Sequence, residues 1–165
     1  MRISFSSHCR CEKAFKPMKI VPKKDSWPGH YNIYDDKDNF VGEFTFYDAK
    51  DKTGFVEDLK IPKGVRGSRI SSNILFSVRD FILNQAKENN LDAIRFSAST
   101  QNPYNVIKLY KKLFTDIRNA QVNDCVDFVY PLNKSGEQRA KELLAERKAM
   151  LDAYKEISEK GLVLE

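Results

Sequence analysis

The 165-residue sequence predicts an α/β (α+β) fold: a hairpin, a strand, a long helix, a strand, a short helix and two closing strands, with an additional C-terminal amphipathic helix. Three observations predict it. Runs rich in Phe, Tyr, Ile and Val, punctuated by polar turns, fill residues 30 to 61. Apolar residues at helical spacing fill 68 to 89 and 103 to 113. Beyond 135 the chain is heavily charged, with one apolar side.

The composition suits a single folded domain. Hydrophobic residues make up 41% and charged residues 31%, which argues against disorder. No run of 18 apolar residues exists, so no membrane span is expected. Ser6 to Arg10 interrupts what would be the apolar core of a secretory leader. A cytoplasmic location is the expectation. The three cysteines, Cys9, Cys11 and Cys125, do not suggest a disulfide framework. His8, Cys9 and Cys11 would need a distant ligand, such as His30 or Cys125, to hold zinc, and the spacing matches no common zinc motif. No metal site is expected.

The charge is uneven. Residues 1 to 24 carry Arg2, Arg10, Lys13, Lys16, Lys19, Lys23 and Lys24 against Glu12, and the remainder is close to neutral. No nucleic-acid-binding motif accompanies this basic segment, so it reads as a solvated face and nucleic acid is not expected as a partner.

Residues 1 to 29 form the basic N-terminal segment. Arg2 to Ser6 alternates around Ile3 and Phe5 as a short strand, and Cys11 to Lys16 suits one or two helical turns before Pro17. Pro22, Pro28 and Gly29 mark an irregular connection. Residues 30 to 132 form the core. A hairpin covers 30–35 and 39–48 around Asp35 to Asn39. Phe55 to Ile61 is a third strand, with Phe55, Glu57, Leu59 and Ile61 on one face and Val56, Asp58 and Lys60 on the other.

Pro62, Lys63 and Gly64 end that strand. A helix follows from Ser68 to Asn89, with Ile70, Ile74, Leu75, Val78, Phe81 and Ile82 on its apolar side, and Asn89 or Asn90 as C-terminal cap. Ala93 to Ala98 is a strand with Ile94 and Phe96 inward. Pro103 to Leu113 is a second helix, opened by proline. Thr115 to Ala120 and Cys125 to Leu132 close the sheet around Asn123 and Asp124.

Residues 133 to 165 form the last segment. Ser135 and Gln138 suggest a capping box, and the helix runs to Lys160, where Gly161 stops it. Leu143, Met150 and Ile157 are seven residues apart, as are Leu144 and Leu151, with Ala140 and Tyr154 extending the stripe. Such a helix either packs on its own domain or pairs, through 135–160, with a second copy or another protein. Arg147 interrupts the stripe, which argues against a long regular coiled coil.

The element order over residues 30 to 132 resembles the core of the GNAT (Gcn5-related N-acetyltransferase) superfamily, whose sheet is mixed and mostly antiparallel. Two patterns carry the resemblance. In Ile61-Pro62-Lys63-Gly64-Val65-Arg66-Gly67-Ser68-Arg69-Ile70-Ser71, a strand leads through a loop into a helix. In the superfamily this is the Arg/Gln-x-x-Gly-x-Gly/Ala loop. There, successive backbone N–H groups and the helix N-terminus cradle the pyrophosphate of acetyl-CoA. Arg66 matches the first position; Arg69 stands where the first glycine is expected and Ser71 where the second small residue is. The resemblance implies Ile61, Arg66, Gly67, Ser68, Arg69, Ile70 and Ser71 as co-substrate contacts.

The second pattern is Asn102-Pro103-Tyr104-Asn105-Val106-Ile107-Lys108-Leu109-Tyr110-Lys111-Lys112-Leu113-Phe114. It is similar to the GNAT Asn-x-x-Ala-x-x-Leu-Tyr-x-Lys-x-Gly-Phe helix, without the glycine and with the asparagine one residue out of register. It implies Asn102 and Asn105 beside acetyl-CoA and Tyr110 as the acid that protonates the departing thiolate.

Acetyl transfer also needs a base for the amine. Glu57 is the candidate, because a face shared with Phe55, Leu59 and Ile61 would bury it in part and raise its pKa. Asp58 is second. The resemblance thus implies an acyl-CoA-dependent N-acetyltransferase acting on an amine acceptor, with acetyl-CoA as co-substrate. The alternative, to which Arg69 and the missing glycine point, is an inactive protein of this fold. It would bind a partner or an assembly through the basic arm and the C-terminal helix.

Overall fold

The computed structural model describes residues 15–49, 51–65, 69–99, 101–122 and 124–160. The strand and helical turns expected before Phe15, and Cys9 and Cys11, lie outside these. The described strands and α-helices are, in chain order, β1 (Lys19–Pro22), β2 (His30–Tyr34), β3 (Phe40–Asp48), β4 (Thr53–Lys60), α1 (Arg69–Glu88), β5 (Ala93–Ser99), α2 (Pro103–Leu113), β6 (Arg118–Val122), β7 (Cys125–Pro131) and α3 (Lys134–Glu159). The strands form one mixed, mostly antiparallel sheet in the order β1-β2-β3-β4-β5-β7-β6, flanked by helices. The chain resolves into two compact units. One holds the residues up to Tyr47 with Val56–Glu88, and the other holds Asp48–Phe55 with Asn89–Glu165.

In the first unit, β1 was not foreseen. Its β-branched pair Ile20 and Val21 lies opposite Ile33 and Asn32 of β2, and the strand ends where Pro22 meets Tyr31. Proline is tolerated there because β1 is an edge strand. The hairpin forms as expected, with Tyr31 opposite Phe44 and Ile33 opposite Gly42. Phe81 of α1 packs edge-on against Tyr31 and Phe44, at centroid distances of 4.7 and 5.7 Å. Ile33, Phe44, Ile74 and Ile82 are fully buried. The α1 surface also anchors the chain that enters β1. Asn73 Oδ1 accepts the Lys16 N–H, Ser77 Oγ accepts the Met18 N–H, and Phe15 packs on Phe76. Asn90, just past α1, has φ +53°, the left-handed turn expected of an asparagine cap.

In the second unit, period-two alternation gives the sheet two different faces. Ala93 and Val129 face α3 and pack with Ala140 and Leu143, Leu144 lying beside them. Phe96 and Phe128, paired across β5 and β7, face α2 with Tyr110 and Phe114. The strand expected at Thr115 to Ala120 begins only at Arg118. Asp116 adopts φ +66°, which keeps the preceding residues in a turn.

The helix α3 starts differently from the expected capping box. Asn133 is the N-cap, extended at φ −157°, and its Oδ1 accepts the Gly136 N–H at 2.8 Å. Gln138 instead donates to Glu142. An asparagine two residues earlier satisfies the free N–H group first, so Ser135 falls inside the first turn. Gly136 is required here. A Cβ at that position would collide with the backbone carbonyl of Asp92.

Candidate functional site

The candidate residues fall in two sets, each described within its own unit. In the first unit, β4 carries Glu57. Asp58 adopts φ +52°, and this left-handed residue breaks the strict alternation of the strand. Glu57 and Asp58 are consequently both exposed. The expected partial burial of Glu57 beside Phe55 and Leu59 is therefore not realised. Its carboxylate instead accepts the Tyr47 hydroxyl at 2.9 Å. Tyr47 was not anticipated, because pairing 47 with 57 requires the spatial arrangement of two strands.

Ile61 is half-buried at the end of β4, followed by a short 3₁₀ turn over Lys63–Val65. Gly64 stands clear of its surroundings: a Cβ there would meet nothing within 4 Å. Arg66, Gly67 and Ser68 lie outside the described residues. Arg69 opens α1, with Ile70 exposed and Ser71 half-buried in its first turn. That first turn contains no acidic residue, so nothing in it offsets the positive end of the helix dipole.

The same unit has a polar recess of about 220 Å³, with His30, Glu43, Thr45, Asp58 and Lys60 in its lining. Glu43 is partnered there by Lys23 at 3.6 Å. The sequence singles out His30 only as a distant zinc ligand and does not single out Glu43; they meet because β2 and β3 pair His30 with Thr45, two residues from Glu43.

In the second unit, α2 carries Asn102, Asn105 and Tyr110. Asn102 is the N-cap residue, with Pro103 in the first turn and no side-chain cap bond. Asn105 is exposed. Tyr110 stacks on Phe96 at 5.3 Å and tilts against Phe128 at 4.7 Å. Burial pushes its phenol above the ordinary value of 10.0, because the ionised form loses hydration. On the outer side of α2, Tyr104, Ile107, Lys108, Lys111 and Lys112 line a recess of about 360 Å³. Its cationic wall suits a phosphate-bearing ligand. The lysines were visible in sequence, but their convergence with exposed Tyr104 was not read.

No protein-family model matches the chain, and no curated protein matches it by sequence. Solved structures do match. A GNAT-family acetyltransferase from Elizabethkingia anophelis with acetyl-CoA bound superposes with a TM-score of 0.53 at 14% identity, covering 71% of this chain and 99% of that one. A point mutant of the spermidine N-acetyltransferase of Vibrio cholerae superposes at 0.51 and 13% identity, covering 64% of this chain and 69% of that one. This chain has the GNAT fold. The GNAT core order seen in sequence is the order observed. Of the two motif segments, Ile61 to Val65 follow β4, Arg69 to Ser71 open α1, and Pro103 to Leu113 form α2. Among the described residues, no helix is long and apolar enough to cross a membrane.

Proposed function

We propose that the protein transfers an acetyl group from acetyl-CoA to the nitrogen of an amine. The observation that carries the reading is the extent of the likeness: the acetyl-CoA-bound neighbour is covered over 99% of its length. Support also comes from the acid-free first turn of α1.

In this reading the loop from Ile61 through Arg66, Gly67, Ser68, Arg69, Ile70 and Ser71 holds the pyrophosphate on backbone N–H groups and the helix terminus. Asn102 and Asn105 line the pantetheine side. Glu57, oriented by Tyr47, takes the proton that the ammonium acceptor must lose, directly or through one water. The free amine then forms the C–N bond as the C–S bond breaks, and the nitrogen's second proton passes to solvent. Tyr110 donates its proton to the thiolate and recovers one from solvent.

The acceptor is an amine. The test is release of free thiol from acetyl-CoA with a panel of amines: polyamines, lysine peptides and free peptide N-termini. Turnover with at least one of them, absent without enzyme, supports the reading. No turnover with any, together with no binding of acetyl-CoA, overturns it.

A further inference from the structure

The apolar stripe of α3 outruns the sheet on which it packs. Ala140 and Leu143 are buried against β5 and β7, and Arg147 closes this section through its ion pair with Asp127. Beyond it the stripe is uncovered among the described residues. Met150 is 44% exposed, Tyr154 69% and Ile157 39%; Leu151 is half-buried.

Positions 143, 147, 150, 154 and 157 alternate in steps of four and three, the a/d spacing of a two-helix seam. In that phase Leu143, Met150 and Ile157 are d, and Arg147 and Tyr154 are a. Glu146, Ala153 and Lys160 are g, and Leu151 and Ser158 are e.

We propose that residues 146–160 of α3 pair antiparallel with the same segment of a second copy of this chain, about a two-fold axis beside Asp152. The symmetry makes the contact isologous. Met150 packs on the partner's Tyr154, and Tyr154 on the partner's Met150. Leu151 meets the partner's Leu151, and Ala153 meets the partner's Ala153, small enough for close approach. The charges single out this arrangement. Glu146 faces the partner's Lys160, a lysine that also bonds Glu156 of its own helix, and symmetry repeats the pair. A parallel pairing would instead place Glu146 against the partner's Leu151 and Ala153 against the partner's Ser158, with no ion pair gained.

Fifteen residues span ~22 Å of helix at 1.5 Å per residue. The contact is thus at the small end of specific interfaces, and the dimer dissociates in the micromolar range.

Sedimentation equilibrium of the full chain, from low to several hundred micromolar, tests this. The expected result is a mass rising from monomer to dimer. Tyr154→Glu keeps the protein monomeric throughout, with an unchanged melting temperature because Tyr154 is so exposed. Glu146→Lys weakens association by about tenfold or more through two like-charge contacts, and adding Lys160→Glu to it restores the dimer. A full-length monomer at every concentration, an oligomer larger than two, or a charge-swapped double variant that fails to recover would each overturn the proposal.

Discussion

Arg147 places its Nε 2.8 Å from Oδ2 of Asp127, while Oδ1 of the same carboxylate accepts the Ser97 hydroxyl. Asp127 is nearly buried, at 9% exposure. The one charge that interrupts the apolar stripe of α3 is therefore its tie to the sheet. Arg147→Ala would leave that carboxylate without its cation, at a cost of about 1.5–3 kcal/mol. Removing both charges, as Arg147→Met with Asp127→Leu, should cost less than Arg147→Ala alone. Urea unfolding of the parent and the two variants measures it. Equal stability of Arg147→Ala and the parent would show that the ion pair contributes nothing.

Gly136 brings α3 against the carbonyl of Asp92, and that carbonyl already accepts the Leu132 N–H at 2.8 Å. Gly136→Ala must shift the helix or the β5 approach, and should cost ~1–3 kcal/mol by overpacking. Gly64→Ala, where the same methyl meets nothing within 4 Å, should leave the melting temperature nearly unchanged. A Gly136→Ala protein as stable as Gly64→Ala would refute the close packing.

How much of this was legible in sequence depended on whether the signal was local. The boundaries of α2 and the hairpin follow from Pro103, from the Asp35 to Asn39 turn and from strong periodicity, and all are found close to where they were expected. The strand β1 escaped because Ile20 and Val21 are only two apolar residues between lysines and a proline. It gains its strand character from β2, which is distant information. The α3 cap was misassigned because Ser135 and Gln138 fit a local rule, while Asn133 also binds Asp92 across the fold. At the candidate site, Tyr110 was legible as part of a motif, whereas the Tyr47–Glu57 contact and the left-handed Asp58 depend on strand geometry that no period-two reading carries.

Tyr110 also gives a pH signature. Its folded pKa lies above the unfolded value of 10.0 through burial. The stability it contributes is complete below that value and is lost as pH rises through the folded pKa. Melting temperature should fall more steeply above pH 10 in the parent than in Tyr110→Phe. Parallel curves would show that Tyr110 does not titrate differently on folding.

In turnover, Tyr110→Phe keeps the ring packed on Phe96 and removes only the hydroxyl. Loss of a proton donor should lower kcat by 10²–10⁴-fold. Glu57→Gln should lower it comparably, with partial recovery at high pH where the acceptor amine is already neutral. Tyr47→Phe removes the hydrogen bond to Glu57 and should lower the rate less than Glu57→Gln does. Full turnover in both Tyr110→Phe and Glu57→Gln would remove these roles while leaving the fold untouched.

Arg69 departs most from the superfamily loop. It is the first residue of α1, where backbone N–H groups have no partners within the helix and no acidic side chain competes for them in the first turn. A pyrophosphate bound there would gain from the dipole, and arginine forms bidentate pairs with phosphate oxygens. The bulk of arginine acts in the opposite sense, by limiting how closely the backbone can approach. The two effects give opposite signs for one substitution. Because the first turn lacks any other charged side chain, we expect the guanidinium to dominate and Arg69→Gly to weaken acetyl-CoA binding by about tenfold. Thermal shift reads this directly. Saturation at 100 times the dissociation constant stabilises the parent by about 2.7 kcal/mol, and a tenfold weaker variant at the same concentration by about 1.4 kcal/mol. A larger shift in Arg69→Gly would show that the side chain obstructs the site. An identical shift would place the pyrophosphate elsewhere, with the Lys108, Lys111 and Lys112 recess of α2 as the next position to substitute.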